Sequence, residues 1–324
     1  MFFGFHRAAS VWGEYYPSIS NPTSYSNQHT QVSGNGNIFV TDSSFNGISQ
    51  AILVNNGNLL VTDSQFNSCR AESGGGIYSL ATSAIFVRLT SYNCSCTSQG
   101  AFIYTSSSSN CLTIENSVTS CYGSGYNGIY ITLGKQNLTI TNFSNTYSLA
   151  NSAFCLTKAN VSFGNISYCN IANCTGNPRV SLIGNVEYRI RCTIFVGNRD
   201  PNCIIFEMDK AYLTLENSIL INNSANYFAN CISGSGGVIY SCYYSNPLIS
   251  IIGCTINQQL PEMKSEYMSI IENCPTFFEK YSVRISRQMN DEHESFLKIL
   301  VLSFITGSDG SIEDKSISTQ IFLI

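Results

Sequence analysis

The sequence predicts an all-β solenoid, a parallel β-helix of about nine coils, followed by a more charged extension that contains helical turns. Three observations carry this prediction. First, the chain writes one stretch twice: residues 36–46 read GNIFVTDSSFN and residues 57–67 read GNLLVTDSQFN, 21 residues apart. They differ at Ile38/Leu59, Phe39/Leu60 and Ser44/Gln65. Self-similarity at a period of about twenty to fifty residues marks stacked repeats rather than a globule around one centre. Second, an alternating apolar–polar segment recurs along the chain. Third, charged residues are 11% of the chain, against the usual share of about 25%. With 44% apolar residues, the composition argues against a disordered chain.

The alternating segment appears as Ile38–Asp42, Leu59–Asp63, Ile85–Leu89, Leu112–Asn116, Leu138–Asn142, Val161–Asn165, Tyr188–Cys192, Leu213–Asn217 and Ile249–Gly253. The steps are 21, 26, 27, 26, 23, 27, 25 and 36 residues, the last carrying an insertion. Alternation with β-branched and aromatic residues is the signal of a strand with one buried face. A second strand, introduced by small residues, sits between successive first ones: Ala51–Asn55, Gly76–Leu80, Ala101–Thr105, Gly128–Leu133, Ala153–Thr157, Val180–Ile183, Cys203–Met208 and Gly237–Ser241. A looser apolar-x-x-(Cys/Asn) element makes a third short strand or a turn: Phe66…Cys69, Val118…Cys121, Ile166…Cys169, Ile171…Cys174 and Ile219…Asn222.

Two or three short strands in that length make one coil, and coils stack about 4.8 Å apart with equivalent positions in ladders. Asn116, Asn142, Asn165 and Asn217 fall at one repeat position, which predicts an asparagine ladder at a bend. Gly74-Gly75-Gly76 and Gly234-Ser235-Gly236-Gly237 suit tight turns where no Cβ fits. The rival is an antiparallel sandwich or propeller, whose hairpins want Asn-Gly turns. Asn46-Gly47, Asn56-Gly57 and Asn127-Gly128 are present but do not recur at one repeat position, so the β-helix is favoured.

Three regions follow. Residues 1–33, with Trp12, Tyr15 and Tyr16, form an N-terminal cap or irregular segment; residues 34–257 form the repeat domain. Residues 258–324 hold 16 of the 36 charged residues and form a cap or a poorly ordered extension. Within them 262–287 suit helical turns, and 296–305 a helix or a strand.

A net charge of −4 offers no basic face for nucleic acid. The 14 cysteines, with no C-x-x-C pair, suit core fillers as well as disulfides, and neither a metal nor another cofactor is implied. Sequons for N-glycosylation stand at Asn93, Asn137, Asn142, Asn160, Asn165, Asn173 and Asn222. No signal peptide or membrane anchor is visible in this sequence. Its best apolar run, Ile299–Ile305, is far too short to span a membrane.

Groups that could carry chemistry are sparse. Asp42 and Asp63 stack at equivalent positions, with Glu115 two coils on, after Leu89; they could share a cation or form a solvated face. Asp200, Glu207 and Asp209 gather around one strand with Arg189, Arg191 and Arg199 nearby, either a carbohydrate-active acid pair or an ion-pair network. His6, His29 and His293 all lie outside the repeats, so no coil holds a histidine base. Phe86, Phe102 and Phe163 read as core, whereas Tyr227, Tyr243 and Tyr244 could face outward and stack on a sugar or anchor a partner.

Phe66-Asn67-Ser68-Cys69 followed by Gly74-Gly75-Gly76-Ile77-Tyr78 resembles the paired F-x-x-N/C and G-G-A/G-I motifs of polymorphic outer membrane proteins. Similar sequences form large families in protozoan parasites, and the Cys-, Ser-, Asn- and Tyr-rich texture over residues 34–257 looks more like those. Gly236-Gly237-Val238-Ile239-Tyr240 is a second G-G-x-I form, and Gly100-Ala101-Phe102-Ile103-Tyr104 a weaker one. The resemblance implies a right-handed coil and a cell-surface or secreted protein. It implies no catalysis. The expectation is a non-enzymatic protein that presents a repetitive face to a host-cell protein or glycan. The alternatives are a carbohydrate-active β-helix with a degenerate site, or a truncated product of a repeat family.

Overall fold

The strands Asn58–Thr62, Gln65–Asn67, Arg70–Ser73 and Ile77–Ser79 make one coil, and Ser83–Val87 begins the next. They belong in turn to four parallel sheets, here called I, II, III and IV. Each strand pairs with its equivalents one coil below and one coil above: Leu60 opposes Ile85, Phe66 opposes Ser91, and Ile52 opposes Ile77. The computed structural model describes residues 11–259, apart from 126–127, 160–162, 178, 200–203, 225–226, 241, 245–249 and 254–255. Among the described residues the chain is a parallel β-solenoid of about eight turns, with 11, 9, 5 and 10 strands in sheets I to IV. All of this lies in one compact unit, Met1–Asn273; the second, Cys274–Ile324, lies outside the described residues, as does the expected C-terminal helix.

Alternation decides which side chains go inside. Sheet II points Phe45, Phe66, Ser91, Val118, Phe143, Ile171, Phe195 and Leu220 inward, all buried. Sheet IV does the same with Ile52, Ile77, Ile103, Ile129, Phe154, Ser181, Phe206 and Ala229. These ladders make one continuous core from Val32 to Cys242. Burying a large apolar side chain stabilises by roughly 1.5–3 kcal/mol, so the core repeats its stabilisation coil by coil. A polar relay crosses it. Tyr188 donates to Gln136 Oε1 (2.6 Å), and Gln136 Nε2 donates to Leu133 O (3.0 Å) and Thr157 O (2.8 Å). The phenol passes over Gly164, where a Cβ would lie 2.4 Å from Tyr188 Cε1.

The corners have their own rule. Between sheets I and II sits one left-handed residue per coil: Asp42, Asp63, Arg88, Glu115, Ile140, Tyr168, Cys192 and Asn217, with φ from 46° to 60°. The next residue is small and polar in most coils, and its hydroxyl or thiol donates to the carbonyl two residues back. Ser43, Ser64, Thr141, Cys169, Thr193, Ser218 and Cys242 do this at 2.7–3.4 Å. The corner between sheets II and III repeats the device. Gly47, Ser68, Asn93, Ser120, Asn145, Asn173, Gly197 and Asn222 are left-handed there, with φ from 50° to 67°. Cys69, Cys121 and Cys174 then donate to the carbonyl two residues back. A left-handed L-residue costs roughly 1–2 kcal/mol, and the hydrogen bond offsets part of that cost.

The predicted Asn ladder does not form. Asn116 follows the left-handed residue of the first corner, Asn142 opens a sheet II strand, Asn165 is mid-strand in sheet I, and Asn217 is itself left-handed. Slips of one to three residues in the expected strands brought them into false alignment. Asparagines on neighbouring coils do pair elsewhere: Asn37 with Asn58, Asn142 with Asn170, and Asn198 with Asn223 in the second corner. Asn198 Nδ2 donates to Asn223 Oδ1 (2.8 Å) and to Ile171 O (2.9 Å), and Asn223 Nδ2 donates to Phe195 O (2.9 Å).

The last coils also differ from expectation. Gly236–Tyr240 is a strand of sheet I, paired with Tyr212–Glu216, and Ser250–Ile252 belongs to sheet IV. Gly236, Gly237 and Ile239 are therefore not equivalents of the Gly74–Ile77 motif, which turns the corner into sheet IV. Gly74 is left-handed (φ 63°), and a Cβ there would lie 2.3 Å from Ile77 O. The first coil begins earlier than expected, because Thr23–Ser26 and Val32–Gly34 already pair in sheets I and IV.

The N-terminal aromatics cover a side of the solenoid rather than its end. A helical turn, residues 11–15, lays Trp12 and Tyr16 against Phe39, Leu60, Ile85 and Val87 on the outer face of sheet I. Trp12 Nε1 donates to Ile19 O (2.7 Å). Tyr16 Oη lies 3.0 Å from Leu59 O and 3.1 Å from Ser83 O. Among the described residues no helix is long and apolar enough to cross a membrane.

Candidate functional site

Higher up, the outer face of sheet I carries a different set of side chains. Three outward ladders run side by side from Lys135–Thr139 to Gly236–Tyr240. One reads Phe163, Glu187, Tyr212, Gly236; the next Asn137, Asn165, Arg189, Thr214, Val238; the third Thr139, Ser167, Arg191, Glu216, Tyr240. Their outward aim follows from strict alternation: Tyr188 and Ile190 point in, so Glu187, Arg189 and Arg191 point out.

Phe163 is 51% exposed and Tyr212 46%, two rings on either side of the Glu187 coil. Phe163 was expected in the core. The strand Phe163–Ser167 turns Gly164 and Ile166 inward, so alternation directs the Phe163 ring to solvent. Beside the rings, Arg189 grips Glu216 with two nitrogens (Nε to Oε1 2.5 Å, Nη2 to Oε2 3.0 Å), and Tyr240 donates its hydroxyl to Glu216 Oε2. Burial pushes the Glu216 carboxyl up, but the hydrogen bonds from Arg189 and Tyr240 and the nearby Arg191 charge hold it below its ordinary value. Arg191 is exposed on the same face.

The other predicted clusters do not converge. Asp42, Asp63 and Glu115 do share the left-handed position of the first corner, but Arg88, not Leu89, stands between Asp63 and Glu115. Arg88 binds Asp63 through two nitrogens, each at 2.6 Å, so Asp63 is matched by a guanidinium rather than by a bound cation. Glu207 and Asp209 lie on sheet IV, Arg189 and Arg191 on sheet I, and Arg199 bridges Ser224 beyond the second corner. Glu207 pairs with Arg179 on its own sheet. Asp200, His6, His293 and the Tyr243 and Tyr244 side chains lie outside the described residues. Among the described residues no three His, Cys, Asp or Glu side chains group to hold a metal ion.

A tyrosine stack marks sheet IV. Tyr78, Tyr104 and Tyr130 oppose one another on successive coils, with ring centroids 4.9 and 5.3 Å apart and planes within 11° of parallel. Tyr104 has a ring on each face, so a sugar ring would meet its edge. The sequons divide by place. Asn173 and Asn222 are exposed in the second corner, and Asn93 shares that position with its amide donating to Ser68 Oγ (3.1 Å). Asn137 and Asn165 are half-buried mid-strand, Asn142 accepts from Asn170 Nδ2 (2.8 Å), and Asn160 lies outside the described residues.

Sequence reasoning missed Tyr212, Tyr240 and the partners Arg88 and Arg179. The parity of each position within its sheet I strand would have revealed the outward rings, had Gly164 and Ile166 rather than Phe163 been taken as the inward positions. No family model matches the chain, and neither a curated protein nor a solved structure matches it.

Proposed function

We propose that this is a non-enzymatic β-helix protein of the cell surface or the secreted space, and that it presents the upper outer face of sheet I to a partner protein or glycan. The observation that carries the reading is the pair of half-exposed rings, Phe163 and Tyr212, on a flat face that also offers Arg191 and the Asn137–Asn165 ladder. Aromatic rings and arginine are the groups enriched where proteins bind partners. One ladder position per coil, at about 4.8 Å, gives an extended ligand several shallow contacts whose effects multiply. What weighs against chemistry here is the state of the acids. Asp63, Glu207 and Glu216 are each held by an arginine one coil away, whereas acid–base hydrolysis needs two carboxylates facing one bond.

The test is binding of the purified full chain to intact cells and to immobilised glycans, with Phe163→Ala and Tyr212→Ala combined. The expected result is at least a tenfold loss of binding with unchanged thermal unfolding. Undiminished binding would remove this face from the reading. Surface labelling and a glycosidase mobility shift in the native cell test the location; an intracellular, unglycosylated chain would sink that part.

A further inference from the structure

The corner between sheets II and III stacks thiols on three consecutive coils. Asn67 opposes Tyr92 and Tyr92 opposes Thr119, so Cys69, Cys94 and Cys121, two residues on in each case, stand one above another. Backbone bonds hold that register: Ser95 N donates to Cys69 O (2.9 Å) and Tyr122 N to Cys94 O (3.0 Å). All three side chains are buried thiols. Cys69 Sγ donates to Phe45 O and Cys94 Sγ to Phe66 O, both at 3.6 Å, the same contact one coil apart.

The spacing suits a bond between neighbours and excludes one across the set. A coil rises about 4.8 Å, within the roughly 4.4–6.8 Å between Cα atoms that a disulfide requires. Two coils, about 9.6 Å, exceed its limit of about 7 Å. The next residue of the column is Thr146, whose hydroxyl donates to Cys174 Sγ (3.0 Å), so the thiol run stops at Cys121. Other described thiols lack such neighbours in register. Cys96 faces Ala71 and Gly123, Cys111 faces Ala84 and Gln136, and Cys155 faces Tyr130 and Leu182.

We propose that oxidation places a single disulfide in this column, always including Cys94, shared between Cys69 and Cys121, and movable by one coil. The oxidant is a small-molecule disulfide such as oxidised glutathione. The Cys94 thiolate attacks one of its sulfurs, giving a mixed disulfide and releasing one small thiol. The thiolate of Cys69 or Cys121 then attacks the Cys94 sulfur, forming the protein disulfide and releasing the second small thiol. Two protein thiols lose two protons and two electrons, and the reagent gains both. The bond moves when the remaining thiol, as thiolate, attacks Cys94 and expels the other neighbour, which takes up the proton; no net oxidation occurs. Burial confines the first attack to a chain still closing its coils, or to a coil that opens locally.

The test is to refold the full chain in a glutathione redox buffer, alkylate free thiols, digest with chymotrypsin and map the bridges by mass spectrometry. Wild type is expected to show both Cys69–Cys94 and Cys94–Cys121 in one preparation, no Cys69–Cys121, and Cys174 alkylated. Cys69→Ser should hold Cys94–Cys121 alone, Cys121→Ser should hold Cys69–Cys94 alone, and Cys94→Ser should leave both remaining thiols free. Full alkylation of all three in oxidised, folded wild type would overturn the proposal, as would a Cys69–Cys121 bridge in folded Cys94→Ser. Serine already fills the equivalent place in the first corner at Ser43 and Ser64. Should a serine variant still fail to fold, the wild-type map decides: both bridges support sharing, and one fixed bridge refutes it.

Discussion

The outer face of sheet I changes character halfway up the solenoid. Below, Phe39, Leu60, Ile85 and Val87 form an apolar patch that the chain covers with its own Trp12 and Tyr16. Above, at equivalent positions of equivalent strands, stand Asn165, Arg189, Thr214 and Glu216, flanked by exposed rings. The inward residues of both halves are of one kind, and the backbone is the same. The winding of the chain therefore rests on inward and corner positions, and the outward positions are left to serve either self-packing or a partner.

Substitutions that remove one ring from each half separate the two roles most sharply. Trp12→Ala should destabilise by about 3–5 kcal/mol, because it strips a buried aromatic from the lower patch, and urea unfolding measures it. Phe163→Ala, the same kind of truncation on the upper face, should stay within about 0.5 kcal/mol of wild type. Equal losses would mean that the upper ring is packed rather than presented.

The relay that crosses the core is the next largest effect. Gln136→Leu strands the Tyr188 hydroxyl among apolar groups and should cost about 1–3 kcal/mol. The double variant Gln136→Leu with Tyr188→Phe removes both partners and should recover most of that loss, which a double-mutant cycle on thermal unfolding would read. Failure to recover would show that the amide contributes through Leu133 and Thr157 rather than through Tyr188.

The smallest effect belongs to the charged upper half. The Glu216 carboxyl is held below its ordinary value, so its contribution is present above the unfolded value of about 4.3 and fades as pH falls through the folded one. Glu216→Gln should be less stable than wild type at pH 7, by about 1 kcal/mol or less given the exposed arginine. That difference should vanish in strong acid. A difference that persists there would mean that the side chain acts by shape rather than by charge.

Much of this was legible in the sequence. Alternation located the sheet I strands of most coils, and the small-residue entries located sheet IV, since both patterns follow from a buried inner face. Phase was harder. Phe163 moved from core to surface because the wrong parity was read as inward, Gly164 and Ile166 being the buried positions, and the asparagines dispersed because their spacing was counted from slipped strands. In the last coils Gly236-Gly237 looked like the corner glycines of Gly74-Gly75, yet it lies in a strand, where Gly237 sits so close to Leu213 O that a Cβ would come within 2.4 Å. The outward face had no such pattern to read, because solvent accepts many side chains and nothing forces a period on them. Arg88 and Arg179 were missed as partners for the same reason: each meets its acid one coil away, a neighbour that only the register reveals.

The duplicated stretch gains a meaning from the winding. Ile38 opposes Leu59 and Phe45 opposes Phe66, so the two near-identical blocks lie directly on top of one another, one coil apart. A tandem duplication of that length inserts one whole storey: its ends fall at matching corners, and its inward, corner and outward positions arrive already in phase. Such an insertion would keep the inward and corner ladders in register on both sides of the new coil. In such a winding, height is set by the number of storeys and the cross-section by the sequence of one.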